Sequence, residues 1–410
     1  MRLHTLVIAM LPLGMAAWMT GCSGAASMPP SAAPASPTSP DGPAQPEKPK
    51  MQVLEATFIG TVVDNCTGKG TYDALELSDL GEQAFEARDW VKADACYALF
   101  VQDFPDHKQL GIALFNLAVT EMQLEKFAEA QKHLQTMLKK FPTHPRKADA
   151  RLQLGKAFLE QGNYKMALQI FRNIANTPYV DWYDKIESLT QMGRAEIGNK
   201  DYTVAEEYFW QAYHSYRRAA REEGYADPYG LAQVHFYRTS IKEILMNDAF
   251  IETPKDDSEE EKERVFQSLE RKARWLLDAQ TGYLKVIRTG HAYWATAAGY
   301  KIGSLYERLY DEITAVPSPP GISEEEQMVY RDDLIAKVSV LLRKSLIAFR
   351  KVCDVANRIQ VQNEWVKKSR ASMERLIAIL TETGHLKAPK KKKKEPKPEV
   401  SPEPKPQPTS

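Results

Sequence analysis

The sequence has no excess of either charge. Its 54 Lys and Arg balance 54 Asp and Glu, so no field of one sign draws it to nucleic acid. Four cysteines in 410 residues are too few for a disulfide framework. The longest apolar run, Leu6 to Met19, is too short for a membrane-crossing helix. No HExxH, CxxC, P-loop lysine or Gly-x-Ser-x-Gly pattern is present, and the eight histidines form no ligand pattern with Cys, Asp or Glu. The acidic run Asp256 to Glu261 lacks the alternating ligands and glycine of a calcium loop and reads as a solvated helix start. An enzyme, a metal and a cofactor are therefore not expected.

What is present is repetition. Ala93, Ala130, Ala167 and Ala205 are spaced by 37, 37 and 38 residues. An aromatic precedes each by three positions (Trp90, Phe127, Tyr164, Tyr202), and a bulky residue follows each by four (Tyr97, Leu134, Phe171, Phe209). Upstream of each lies an apolar–small pair: Leu80-Gly81, Leu117-Ala118, Leu154-Gly155, Met192-Gly193. Pro105, Pro142 and Pro178 close the units. The i, i+3, i+7 spacing places the apolar residues on one helical face, and the small residue admits a neighbouring helix. Each unit is therefore two helices joined by a tight turn, as at Gln161-Gly162-Asn163, where Gly162 suits the left-handed position. Such a hairpin buries its faces only by stacking on the next. His107 and His144, just after two of the prolines, read as surface turn residues.

These columns resemble the tetratricopeptide repeat (TPR) family, with a period of 37 rather than the usual 34. The resemblance implies an all-α, right-handed solenoid of about six helical hairpins plus a capping helix. It also implies a concave groove on the first helices. Matching the family's groove positions gives Glu82, Phe85 and Glu86 in unit one and Phe115, Val119, Met122 and Gln123 in unit two. Units three and four contribute Leu152, Lys156 and Glu160, then Thr190 and Arg194. Phe115, Val119 and Met122 are apolar, so a ligand or the segment 51–73 is expected to cover them. Lys156 and Arg194 would form a positive rung for an acidic segment or C-terminal carboxylate, or else be ordinary solvated charges. Their reversal is expected to leave stability nearly unchanged.

Residues 1–22 read as a targeting segment ending in Met19-Thr20-Gly21-Cys22, which resembles a bacterial lipobox with Cys22 as the acylated residue. Ser23 resembles the sorting pattern for the periplasmic face of the outer membrane of a Gram-negative cell. Residues 23–50, rich in Pro, Ala and Ser, form a tether. Residues 51–73 are open between a strand with a glycine turn and an ordered coil. Cys66 lies within reach of Cys96; buried free thiols are the default reading and a Cys66–Cys96 disulfide the alternative.

Residues 74–222 hold the four clear units, and 223–385 hold degenerate hairpins with a cap. There a first helix is expected over Leu231 to Asn247, and capping boxes at Ser258/Glu261 and Ser323/Glu326. Residues 386–410 are a Lys/Pro tail containing Lys390, Lys391, Lys392, Lys393 and Lys394. The tail is either simply solvated or a patch for anionic cell-wall or lipid groups. Lipobox, tether and long-period repeats together resemble the TPR lipoproteins of the β-barrel assembly machine, the Tol–Pal-associated TPR protein and TPR envelope proteins of myxobacterial gliding machinery. That implies a scaffold for other envelope proteins. A chaperone-like holder of outer-membrane clients and, further off, a cell-wall remodelling enzyme are the alternatives.

Overall fold

The computed structural model describes Cys66, residues 72–256 and residues 258–384. The targeting segment with Cys22, the tether, most of 51–73 and the lysine tail lie outside the described residues. Thirteen helices, and no strand, make up what is described. They are α1 (Ala74–Glu86), α2 (Trp90–Asp103), α3 (Leu110–Gln123), α4 (Phe127–Lys140), α5 (Lys147–Glu160), α6 (Tyr164–Ala175) and α7 (Trp182–Gly198). The rest are α8 (Tyr202–Glu223), α9 (Pro228–Asp248), α10 (Glu259–Arg288), α11 (Ala292–Ala315), α12 (Glu324–Ile359) and α13 (Glu364–Glu382). Each helix packs on the next, which gives six hairpins and a terminal helix, as the sequence implies.

The repeated aromatics open the second helix of units one to four. Just before each, the chain passes through one left-handed residue: Arg88, Glu125, Gly162 and Lys200, with φ of 58°, 59°, 75° and 64°. The next N–H donates back across the turn: Asp89 to Ala84, Lys126 to Glu121, Asn163 to Phe158, Asp201 to Glu196. This bond satisfies a carbonyl left open at the helix end. Glycine occupies only one of the four positions, so the turn geometry is held by stacking rather than by backbone freedom alone.

The alanine column is fully buried in all four units, and Tyr97, Leu134, Phe171 and Phe209 are buried beside it. The small residue facing each is set by that neighbour. A Cβ on Gly81 would lie 2.8 Å from the Tyr97 ring, on Gly155 2.6 Å from Phe171, and on Gly193 2.6 Å from Phe209. Unit two carries Leu134 instead of a ring, and there the small residue is Ala118. The pairing recurs in the sixth hairpin, where a Gly303 Cβ would meet Phe349 at 2.4 Å.

His107 and His144 depart from the surface-turn reading. Both are half-buried. The His107 ring packs edge-on to Phe100 and Phe104, and that of His144 on Phe141. Each Nδ1 accepts a backbone N–H two residues on, from Gln109 and Arg146. They are wedges between hairpins rather than solvated turn residues.

Cys66 and Cys96 form a disulfide, with Cα atoms 4.9 Å apart, which corrects the default of free thiols. Cys66 is buried against Leu77 and Phe100. Cys353 remains a buried thiol. Of the two expected capping boxes, Ser323/Glu326 is complete. At α10 only half forms: the Ser258 hydroxyl accepts from Glu261 N–H, while the Glu261 carboxylate turns to Lys255 N–H and Arg264. The first helix of the fifth hairpin starts before Leu231, at Pro228. Asp227 caps it by accepting from Tyr229 and Gly230, and proline is tolerated at a first helical position.

The second half holds one larger core. Lys272, wholly inaccessible to solvent, donates to the carbonyls of Met246 (2.7 Å) and Ala249 (2.5 Å) and pairs with Glu312. It thereby closes the C-terminal end of α9, where cations are favoured.

Candidate partner-binding surface

The first helices α1, α3, α5 and α7 follow one another along the array and present the positions matched to the family's groove. Glu82, Glu86 and Gln123 are exposed; Phe85, Val119 and Met122 are half-buried. The Phe85 ring stands edge-on to Trp90, with centroids 5.3 Å apart. In this first half the surface offers apolar side chains framed by carboxylates and an amide, with no cation among those positions.

Phe115 does not share this openness. It is 8 % exposed, sits in the core of unit two, and lies under the Arg146 guanidinium at 5.7 Å. That guanidinium, from the next unit, is the cover the structure shows for it.

Lys156 and Arg194 do lie on successive first helices, as the spacing implies, but they do not form a free positive rung. The Lys156 ammonium is 2.6 Å from Glu187 on α7, a carboxylate with 1 % of its side chain exposed. Arg194 reaches back 2.8 Å to Glu160 on α5, donates to Gln191, and lies 4.6 Å over the Tyr237 ring of α9. The two pairs run in opposite directions between α5 and α7 and bolt the third unit to the fourth. Glu187 is the residue the sequence did not reveal. Its partner is on the preceding repeat, and nothing local to it marks a buried acid.

Around Glu187 the groove is closed. Helix α7 packs against α5, α8 and α9, and Leu152, Thr190 and Gln191 are buried. Asp184 is buried there too. Desolvation first, then the charges of Asp181, Asp149 and Glu187, push its carboxyl up to about 6, with Lys156 opposing. On α9, burial with Lys285 and Arg238 nearby holds His235 down at about 4. Among the described residues no group of His, Cys, Asp and Glu is arranged to hold a metal, and no helix is long and apolar enough to cross a membrane.

Residues 109–173, from the cap of α3 to the last turn of α6, match the family model described as tetratricopeptide repeat. The fold is a TPR-like helical repeat. No curated protein matches the sequence. Among solved structures, a tetratricopeptide repeat protein from Parabacteroides merdae is 14 % identical, with a TM-score of 0.32 over 74 % of this chain and 98 % of that one. The assembly chaperone of RpL4 (Acl4) is 13 % identical, with a TM-score of 0.23 over 76 % of this chain and 100 % of the other. TPR arrays work by binding protein partners on their surfaces.

Proposed function

We propose that this protein is a scaffold of a multiprotein cell-envelope assembly, held to the membrane by acylated Cys22 and gripping a partner with the first-helix face of units one and two. The observation that carries the reading is the asymmetry of the repeat face. Positions that in units three and four are consumed by Lys156–Glu187 and Arg194–Glu160 remain half-open in units one and two. There Phe85, Val119 and Met122 are bordered by Glu82, Glu86 and Gln123. An apolar strip framed by acids suits a partner segment with apolar anchors and flanking Lys or Arg. The expected location is the periplasmic face of the outer membrane, and the lysine tail supplies an additional contact to anionic wall or lipid groups.

Two experiments test this. Crosslinked membranes from cells carrying the wild type should yield a fixed set of stoichiometric partners, lost in the Phe85→Ala/Met122→Glu variant while its helicity is retained. Partners that survive the substitution would remove units one and two as the site. Many sub-stoichiometric clients would make the protein a chaperone-like holder instead. Separately, Cys22→Ala should move the protein from the membrane to the soluble fraction; retention with outer membranes at high salt would overturn the anchor.

A further inference from the structure

The fifth and sixth hairpins are built from helices of unequal length. Helix α10 has 30 residues, α11 24 and α12 36, or roughly 45, 36 and 54 Å at 1.5 Å per residue. The N-terminal ends of α10 and α12 both project past the C-terminal end of α11. Between them lies an open groove of about 1080 Å³, bounded at one end by the loop with Pro319 and Ile322. That volume is at the upper limit for small-molecule pockets, about 300–1,000 Å³.

The walls are apolar and the rim is acidic. Val265 and Phe266 of α10 face Val329, Tyr330 and Leu334 of α12. Val329 is 69 % exposed, and its neighbour Met328 68 %; side chains of this kind normally find cover when they cluster. Six carboxylates line the groove: Asp256, Glu259 and Glu263 on one side, Glu325, Glu326 and Asp333 on the other. Against them, among the described lining residues, stand Lys262 and Lys337, a formal balance of −4 (2 − 6).

We propose that this groove docks a cationic amphipathic helix of a partner protein, its apolar stripe on Phe266, Val329 and Tyr330 and its Lys or Arg residues against the carboxylate rims. The charge balance selects the sign of the partner. Two facing helices with a gap between them select a helix as its form, since a third helix fills such a gap at the usual interaxial distance of about 8–10 Å. The chain's own residues 385–410 are cationic, but they carry seven prolines and only Leu386 and Val400 as large aliphatics. Their sequence holds no apolar stripe at helical spacing, and proline is unfavourable in a helix interior. The site is separate from the first-helix face of units one and two, so either stands if the other falls.

The test uses the full-length protein and a fluorescein-labelled helical peptide of about five turns, with Leu at i, i+3, i+4 and i+7 and Lys elsewhere. A matched peptide with Glu in place of Lys is the control. Anisotropy should show binding of the Lys peptide and not of the Glu peptide. Val329→Asp should weaken it about tenfold or more, as should Glu259→Lys combined with Glu325→Lys; all three positions are exposed, so folding is retained, and circular dichroism checks this. Equal binding of both peptides, or no loss in either variant, would overturn the proposal. So would binding that emerges only when Lys390–Lys394 are replaced by Gln, which would assign the groove to the chain's own tail. Self-association in sedimentation that Val329→Asp abolishes would assign it to a second copy and likewise overturn the proposal.

Discussion

A glycine in the interior of a helix lowers its stability by about 1 kcal/mol relative to alanine, yet Gly81, Gly155, Gly193 and Gly303 all sit inside first helices. Each is there because an aromatic ring of the following helix occupies the space a methyl group would need. Unit two shows the other solution, Ala118 with Leu134. The two are interchangeable only as pairs. Gly155→Ala should cost on the order of 1–3 kcal/mol through overpacking against Phe171. Adding Phe171→Leu, which recreates the unit-two pair, should recover part of that loss, with a coupling of about 1 kcal/mol or more in a double-mutant cycle from urea denaturation. Additive losses would show that ring and glycine are independent. Two titrating residues act at the same scale with opposite sign. His235 is held at about 4 in the folded chain against about 6.5 unfolded, so its contribution is present at neutral pH and is lost as pH falls through this window. Asp184 is raised to about 6 against about 3.9 unfolded, so its contribution is present in acid and is lost as pH rises toward 6. Between pH 4 and 6 the two slopes oppose. Melting temperature should then rise with pH in Asp184→Asn and rise less, or fall, in His235→Gln; equal slopes in the two variants would contradict these assignments.

At the scale of helices, the internal logic of a hairpin was legible in the sequence and the traffic between hairpins was not. The alanine, aromatic and small-residue columns name contacts between a helix and its immediate successor, and those recur with the period. The left-handed turn was legible at Gly162, but not at Arg88, Glu125 or Lys200, where no glycine advertises it. Lys156 and Arg194 were legible as neighbours on successive first helices. Their partners were not, because Glu187 and Tyr237 lie on later units and carry no mark of burial. This changes what a substitution does. Read as exposed charges, the two could be reversed at little cost. Lys156→Glu instead sets two carboxylates together at a buried site, where an unpaired charge typically costs about 3–5 kcal/mol. A clear fall in melting temperature is expected for Lys156→Glu, with partial recovery in Lys156→Glu/Glu187→Lys. An unchanged melting temperature would restore the solvated-charge reading. The overhang of α10 and α12 was likewise hidden, since it follows from the length of α11 relative to its two neighbours, which no local pattern marks.

Across the array, the helices of units one to three have 12 to 14 residues and those of the fifth and sixth hairpins 21 to 36, and among the described residues the first unit stacks on a neighbour on one side alone. In a solenoid, stability is a sum over such interfaces, and the terminal unit is the one that frays. The disulfide offsets this. It closes a loop with a sequence separation of 30, for which chain entropy gives about 3–4 kcal/mol. Cys66→Ser should therefore raise hydrogen exchange in α1 and α2 well above that of α5 and α6, and leave the C-terminal hairpins unchanged. Uniform exchange along the array would show that the first unit does not depend on the bond.

The position of that bond also decides how tension would travel. A pull on the chain ahead of Cys66 does not reach α1 first. It crosses from Cys66 to Cys96 on α2, and the residues between, with the whole of α1 among them, lie off the load path. In a force-extension experiment from the N-terminus, the oxidised protein should release roughly 100 Å less contour length than the reduced one, at about 3.3–3.6 Å per hidden residue. Pulled from that end, the molecule keeps α1 free of load until a reductant cuts the bypass.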